Sequence, residues 1–145
     1  MRKALPELEL EIVDRLPGFS CSRCSRCCTG KLVAIYDRDV KRLEAVTRDF
    51  CVRTTKQECR LTGAGHKMVM KNGRCTLLDE NGLCRFYDSR PDTCRRHPFM
   101  AGKYLLVAST CRGVDWSQSQ DADPYRELSR DISKKIDSVV EKMGH

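Results

Sequence analysis

The sequence has few of the residues that build a large apolar core, and it lacks the long apolar runs of membrane proteins. Aromatic residues make up only 6% of its 145 residues, whereas charged residues make up 32%. No stretch approaches the roughly 20 apolar residues of a membrane-spanning helix, so the sequence predicts no membrane span. A chain of this length forms one domain with a modest core, and so few large apolar side chains predict that something else helps to stabilise it.

The beginning of the chain lacks the pattern of a secretory signal. Such a signal needs a basic start and then an apolar run of roughly 7–15 residues, but Glu, Asp or Pro interrupts every apolar run in residues 1–19. We therefore expect a cytoplasmic protein, in which glutathione and thioredoxin keep thiols reduced. In that compartment, ten cysteines indicate metal binding or catalysis rather than disulfides, with hyperthermophile proteins as the exception.

The sequence also lacks the patterns of common catalytic sites. It shows no Ser/His/Asp set, no paired carboxylates on one face and no Gly-rich nucleotide loop. No residue is therefore assigned a catalytic role. An enzyme is the least favoured of the functional classes considered below.

Positive charge is in excess, with 27 Lys and Arg against 20 Asp and Glu, or a formal net charge of +7. A solvated basic surface is the favoured interpretation, and nucleic-acid binding is a less favoured one. A third interpretation is that guanidinium groups lower thiol pKa values and offset the negative charge of thiolate ligands. It depends on seven arginines that directly neighbour a cysteine: Arg23, Arg26, Arg60, Arg74, Arg85, Arg95 and Arg112.

The strongest motif is a run of four cysteines: Cys21, Cys24, Cys27 and Cys28. A C-x-x-C-x-x-C run supplies three ligands, and a distant cysteine completes the set, as in bacterial ferredoxins. Zinc ribbons more often use two separated C-x-x-C pairs. No second pair is present, because the later cysteines are spaced 9, 10 and 17 residues apart: Cys75, Cys84, Cys94 and Cys111. The spacing favours an iron–sulfur cluster, with 4Fe–4S as the expected type, over zinc.

These eight cysteines are the predicted metal ligands, and they allow two groupings. Cys27 and Cys28 are adjacent, so their side chains diverge and can serve different sites. Cys21, Cys24 and Cys27 with one distant cysteine make one four-sulfur site, and Cys28 with the other three distant cysteines makes a second. A single site, with the remaining cysteines structural, is the alternative.

The predicted fold class is α+β, a small cysteine-rich metal-binding domain with short strands and turns around the metal site. We predict a single domain over 1–145. Within it, 21–113 form the metal-binding core, 1–20 form a polar lead-in with at most one short helix, and 121–145 form a C-terminal helical segment.

Two longer helices are predicted from capping residues and apolar spacing. Asp37 is a favoured N-cap, and apolar residues then recur every three or four positions, which predicts a helix at about 38–51. This helix places Cys51 on its apolar side as a buried thiol. Asp123 and the proline after it begin a second apolar stripe, which predicts a C-terminal helix at about 124–143.

Residues 67–87 read as short strands and turns, and a short helix follows them. Asn72-Gly73 and Asn81-Gly82 are strong two-residue turn signals within 67–87, and each precedes a cysteine. A capping-box spacing then predicts a helix near 90–97. Cys94 falls in its first turn, where the helix dipole favours a thiolate.

With these motifs in place, the chain resembles the YkgJ-type CxxCxxCC cysteine-cluster family, whose domain is described as zinc- or iron-chelating. Its signature C-x-x-C-x-x-C-C is matched by Cys21 to Cys28, and its D-x-x-R-L segment is matched by Asp39 to Leu43. Two motifs in the middle of the chain follow: G-x-C-x-x-L is matched by Gly73 to Leu78, and G-x-C-x-x-Y-x-x-R-P-x-x-C-R is matched by Gly82 to Arg95. A late C-x-G is matched by Cys111 to Gly113. The departures are Ser25, His97 and Arg112, where Gly, an aromatic residue and Pro are common in the family.

The resemblance singles out Arg90 and Arg95 as candidate cofactor-binding residues. In one interpretation, Arg90 fixes the turn through hydrogen bonds to backbone carbonyls. In the other, Arg95 lies near the sulfur of Cys94 and balances the charge of the ligands.

Three functions follow as hypotheses. The first is an iron–sulfur protein that acts in electron transfer, in cluster delivery or as an accessory subunit, with an unidentified protein partner. The second is a structural zinc-binding interaction domain. The third is a metal-dependent protein-modifying enzyme, because the flagellin lysine methylases carry a similar cysteine cluster; this chain is short for such an enzyme.

Overall fold

In the computed structural model, which describes residues 2–21 and 32–143, short strands alternate with short helices. This is the α+β class that the sequence predicts. The described strands are β1 (Arg2–Leu5), β2 (Leu10–Val13), β3 (Leu16–Phe19), β4 (Ala34–Ile35), β5 (Cys51–Arg53), β6 (His66–Met68), β7 (Met70–Lys71), β8 (Arg74–Cys75), β9 (Phe99–Ala101), β10 (Leu105–Ala108) and β11 (Val114–Gln120). The described helices are α1 (Asp37–Glu44), α2 (Lys56–Thr62), α3 (Asp92–Arg96), α4 (Asp123–Ser129) and α5 (Ser133–Lys142).

The chain divides into two compact units, and one of them combines two segments that are far apart in the sequence. The first unit joins residues 1–24 to residues 96–145, and the second consists of residues 25–95. The two halves of the first unit meet in an antiparallel sheet of order β1-β2-β10-β9, in which Leu105 pairs with Val13. That the whole chain acts as a single domain stays a prediction.

Residues 1–20, expected to be a polar lead-in, instead supply three strands of the first unit. Their helical structure is one 3-10 turn at Pro6–Leu8. Leu10 and Ile12 alternate along β2 and lie in an apolar cluster with Leu106 of β10. Burial on one face of a sheet therefore decides the structure of this segment, because its apolar residues follow a period of two.

The predicted C-terminal helix at 124–143 is two helices, α4 and α5. Its apolar stripe is confirmed, since Ile132, Ile136 and Val140 are buried. The break lies where the buried Ser129 hydroxyl accepts a hydrogen bond from the backbone N–H of Ala101 at 3.2 Å. Just beyond it, the Ser133 hydroxyl donates to the backbone carbonyl of Arg130 at 3.5 Å. Ser side chains that bond nearby backbone groups in this way weaken a helix interior, so a continuous helix is not maintained here.

The helix predicted at 38–51 is too long, because α1 ends at Glu44 and Cys51 begins β5. Val46, placed by the pattern on the apolar stripe, is 62% exposed. The chain turns at Asp49, whose φ of 56° is left-handed, and Phe50 then enters the core at 2% exposure. The spacing was misleading because Phe50 is buried through a turn rather than through a helix face.

The second unit combines a three-stranded sheet of order β4-β6-β5, the hairpin β7-β8 and one apolar cluster. Helix α2 beside this sheet was not predicted, although its signal was present. Thr55 accepts from the N–H of Glu58 at 3.2 Å, and the Glu58 carboxylate accepts from the N–H of Thr55 at 2.8 Å, which is a capping box. A hydrogen bond from Lys67, followed by that from Thr55, lowers the pKa of Glu58. The stabilisation from Glu58 is therefore present at neutral pH and is lost as the pH falls through this lowered pKa.

Replacing Thr55 by Ala should reduce the free energy of unfolding by about 1 kcal/mol, because one N-terminal N–H of α2 loses its acceptor. Thr55→Ser keeps a hydroxyl at the same place and should unfold like the parent protein. Denaturant titration of both variants checks this. Equal stability of the Ala and Ser variants would contradict the capping role.

Candidate metal centre

The eight predicted cysteine ligands fall into three groups in the structure. Three lie outside the described residues: Cys24, Cys27 and Cys28. Two belong to the first unit, Cys21 and Cys111, and three to the second, Cys75, Cys84 and Cys94. Within residues 2–21 and 32–143, no three Cys, His, Asp or Glu side chains gather closely enough to hold a metal ion. The described residues alone therefore do not form a complete four-ligand site.

Cys21 and Cys111 are attached to the same end of one antiparallel ladder. Strand β3 pairs with β11, and Phe19 lies opposite Val114. Beyond this pair, the N–H of Ser20 donates to the carbonyl of Gly113 at 2.9 Å. The ladder thus joins the start of the cysteine run to a cysteine ninety positions later in the chain.

Gly113 allows this ladder to close at its end. A Cβ at this position would lie 2.3 Å from the carbonyl oxygen of Ser20 and 2.9 Å from a ring carbon of Phe19. Contacts shorter than 3.0 Å to backbone are not found for real Cβ atoms. The glycine of the late C-x-G motif is therefore explained by close backbone approach next to Cys21.

Cys75 is positioned by a tight hairpin. Asn72 and Gly73 both have positive φ, 53° and 75°, as a two-residue type I′ turn requires. Cys75 follows on β8 and is 7% exposed. The N–H of Leu77 donates to its sulfur at 3.4 Å. Hydrogen bonds to sulfur are among the interactions that tune metal-bound thiolates.

Cys84 is positioned by a second turn. It pairs with Leu78 in an antiparallel bridge, and the side chain of Asp79 closes the loop between them. Its Oδ1 accepts from the N–H of Asn81 at 2.8 Å and from the N–H of Leu83 at 3.0 Å. Cys84 is half-buried and packs against the same apolar cluster that contains Cys75.

Cys94 lies in the first turn of α3, as predicted, and also packs against this cluster. A buried carboxylate on α1 fixes the start of that helix. Asp39 is 1% exposed, and its Oδ2 accepts from the backbone N–H of Asp92 at 2.8 Å. The hydroxyl of Thr93 donates to the carbonyl of Ala34 at 2.6 Å, which ties α3 to β4 as well.

Arg42 completes the contact between α1 and the segment before Cys94. It pairs with Oδ1 of Asp39 at 3.0 Å. It also donates to the carbonyls of Ser89 and Arg90, both at 2.8 Å. Asp39 and Arg42 belong to the D-x-x-R-L segment of the resemblance, but sequence reasoning gave them no role. The available signal was an acid on the apolar side of an amphipathic helix, one residue before Val40 and four before Leu43.

Asp92 is the second buried acid of this segment, at 3% exposure. Its carboxylate pairs with Arg38 of α1 and with Arg95, whose Nη1 lies 3.3 Å from Oδ1. Two buried carboxylates are thus matched by three arginines, which limits the cost of removing their charges from water.

Arg90 and Arg95 occupy different surroundings. The Nε of Arg90 donates to the carbonyl of Tyr87 at 2.8 Å, and the guanidinium carbon of Arg90 lies 4.0 Å from the centre of the Tyr87 ring. This contact agrees with the structural interpretation of Arg90. Arg95 is 52% exposed and pairs with Asp92. A cofactor-binding role for either arginine stays a prediction.

The other described arginines that neighbour cysteines are exposed: Arg60, Arg74, Arg85 and Arg112. Cys51 is half-buried on β5, not on a helix, and packs against the cluster of the second unit. Burial, and then the charge of Glu44, raises the pKa of the Cys51 thiol. A raised pKa favours the protonated thiol at neutral pH, which agrees with a structural role.

Asp39→Ala should destabilise the protein by about 1–3 kcal/mol, because the buried N–H of Asp92 loses its acceptor. Metal content should fall with it, since Cys94 lies two residues beyond Asp92. Asp37→Ala removes an exposed acid from the same helical turn and should cost only about 0.5 kcal/mol. Denaturant titration and metal analysis of both variants check this; equal losses in the two would refute the role of Asp39.

Gly113→Ala should separate the end of the β3-β11 ladder and lower the metal content, at a stability cost of about 1–3 kcal/mol for the steric conflict. Gly65→Ala is the matched control, because a Cβ there meets no atom within 4 Å. Metal analysis and thermal unfolding compare the two. Unchanged metal content in Gly113→Ala would show that this ladder end does not position ligands.

Comparison with known proteins identifies the family of the chain. The family profile described as "CxxCxxCC: Putative zinc- or iron-chelating domain" matches residues 20–112, or 93 of the 145 residues. The match spans every predicted cysteine ligand from Cys21 to Cys111. No curated protein and no solved structure matches the chain. No helix in the described part of the chain has the length and apolar character to cross a membrane. The chain belongs to the CxxCxxCC family of zinc- or iron-chelating domains.

Proposed function

We propose that this protein binds an iron–sulfur cluster of the 4Fe–4S type and acts in electron transfer, in cluster delivery or as an accessory subunit. One observation carries the proposal. The run C-x-x-C-x-x-C begins at Cys21, just after β3. Strand β3 pairs with β11, and Cys111 lies just before β11. Three closely spaced cysteines and one distant cysteine are the ligand plan of bacterial ferredoxins. The cytoplasm is the proposed location, because its thiols stay reduced.

The described residues fit such a group by their chemistry. Cys75 is buried and accepts an N–H hydrogen bond at its sulfur. Cys84 and Cys94 are half-buried against apolar side chains. When bound, the cluster would supply one-electron chemistry, and its potential depends on hydrogen bonds to sulfur and on solvent exposure. The chain itself would supply the thiolate ligands, backbone N–H groups that donate to sulfur, and an apolar environment.

The ladder between β3 and β11 supports one of the groupings that the sequence leaves open. We assign Cys111 as the distant ligand of Cys21, Cys24 and Cys27. Cys28 with Cys75, Cys84 and Cys94 then remains as a second set, which is supported by the apolar cluster that the last three share. Arg95 is proposed to offset the ligand charge of this second set, since it follows Cys94 directly.

Anaerobic purification, a visible spectrum and analysis of iron, sulfide and zinc test this function. We expect a brown protein with iron and acid-labile sulfide in equal amounts. Cys24→Ala and Cys27→Ala should each lose most of the metal, because a coordination position is left open. Cys51→Ala is the control and should keep it. Stoichiometric zinc without sulfide would instead support the structural zinc domain, and full metal loading in Cys24→Ala and Cys27→Ala would remove both assignments.

The same measurements separate one site from two. With two sites, Cys111→Ser and Cys84→Ser should each lose about half of the iron, and the double variant should lose all of it. With a single site that uses Cys111, Cys111→Ser loses all of the iron and Cys84→Ser loses none. That second result would overturn the set built on Cys75, Cys84 and Cys94.

A further inference from the structure

The hairpin β7-β8 contains a charge arrangement that does not serve its own stability. It has only two residue pairs, Met70 with Cys75 and Lys71 with Arg74. Like charges directly opposite each other on paired strands are destabilising. Local features that destabilise a fold, and that no other contact in the protein compensates, are expected at functional sites.

Within residues 2–21 and 32–143, neither cation of this pair has an acidic partner. Lys71 and Arg74 are both exposed. Among the residues that the structure describes, no carboxylate lies within ion-pair distance of either one, whereas Arg38, Lys67 and Arg95 all have such a partner. The repulsion between the two cations is therefore not offset by an acidic side chain in the described part of the chain.

A third cation is held beside the hairpin. The Nη2 of Arg85 donates to the carbonyl of Thr76 at 3.0 Å, and its backbone N–H donates to the carbonyl of Leu77 at 2.8 Å. Arg85 is exposed as well. Lys71, Arg74 and Arg85 together form what we name the basic hairpin.

The charge of the chain is concentrated in the unit that contains the basic hairpin. Residues 25–95 hold 15 Lys and Arg against nine Asp and Glu, so they carry +6 of the formal net charge of +7. The remaining residues are nearly balanced. A field of one sign on one unit attracts oppositely charged partners and orients their approach.

We propose that the basic hairpin docks on a cluster of carboxylates on the surface of a partner protein. Arg74 directly precedes the buried Cys75, so a docked partner would lie next to this predicted ligand; that last point rests on the proposed function. Guanidinium groups bind carboxylates through two parallel hydrogen bonds. Such an encounter would bring a redox or cluster-accepting partner to the metal site.

A protein partner fits this surface better than a nucleic acid does. Proteins that bind single strands combine a basic groove with aromatic side chains on which successive bases stack. Residues 70–76 contain no aromatic side chain, and among the described residues the one ring found beside a cation of the basic hairpin is that of Phe86, 5.7 Å from the guanidinium carbon of Arg85. A single ring does not form a series of stacking surfaces. Proteins whose nucleic-acid affinity depends strongly on phosphate contacts can make about 6–10 of them. Three cations around a two-residue turn are too few for that mode and are sufficient for a small carboxylate cluster.

The test uses the metal-loaded full chain, with poly-L-glutamate as the acidic polypeptide probe and polyuridylate as the nucleic-acid probe. Isothermal titration at low ionic strength should show binding of polyglutamate that weakens as salt is added. The double reversal K71E/R74E should reduce this affinity about tenfold. The control K134E/K135E makes the same charge change on the exposed side of α5 and should reduce it less than about twofold. Equal losses in the two variants, or binding of polyuridylate alone, would overturn the proposal.

A single substitution separates docking from folding. Lys71→Glu places opposite charges across the hairpin, so the melting temperature should rise while the affinity for polyglutamate falls. Iron and zinc contents should stay as in the parent protein. Loss of binding together with a lower melting temperature would mean that the hairpin had only a structural role. Because metal content is measured separately, finding zinc in place of iron would refute the proposed cluster and leave the docking result intact.

Discussion

The buried carboxylate of Asp39 is the interaction on which the second unit most depends. It is 1% exposed and joins α1 to α3. It pairs with Arg42 on its own helix and accepts a hydrogen bond from the backbone N–H of Asp92 on α3. An isolated carboxylate could not be buried at acceptable cost. Its Oδ1 pairs with Arg42 on the same helix, but its Oδ2 is satisfied only when the segment before Cys94 lies against α1. The polar network therefore ties α3 to α1 at a defined position.

Cysteine has two physical roles in the second unit. Cys75 is a member of the apolar cluster, and Cys51, Cys84 and Cys94 pack against it. A thiol behaves as a small apolar side chain when protonated and as an anionic ligand when it binds metal. In a chain with so few aromatic residues, part of the core therefore consists of side chains that are predicted to bind metal: Cys75, Cys84 and Cys94. Stability and metal occupancy are expected to be coupled in this unit.

The features that the sequence predicted correctly depend on local chemistry. The Asn72-Gly73 turn, the short strands of 67–87 and the helix that carries Cys94 all follow from neighbouring residues. The errors occurred where contacts between residues far apart in the sequence determine the structure. Strands β2 and β3 were missed because their partners β10 and β11 lie about ninety or more positions later in the chain. Strand β1 was missed although its pairing with β2 is local. The role of Asp39 was missed because its partner is the backbone of Asp92, and a backbone N–H leaves no trace in a sequence. Gly113 was read only as part of a motif, since a close approach to Ser20 requires coordinates.

The order of the chain through its two units also bears on how the protein forms during synthesis. Residues 25–95 lie between the two parts of the first unit, so a ribosome completes the second unit while β1 and β2 still lack β10 and β9. At about 5–20 residues per second, the wait lasts some seconds. During that interval β2 presents an unpaired edge, which other chains can occupy. The long separation between β2 and β10 also makes closure of this sheet a slow step. The nascent chain is thus exposed to aggregation through this edge after residues 25–95 have been made and before β9 and β10 have emerged.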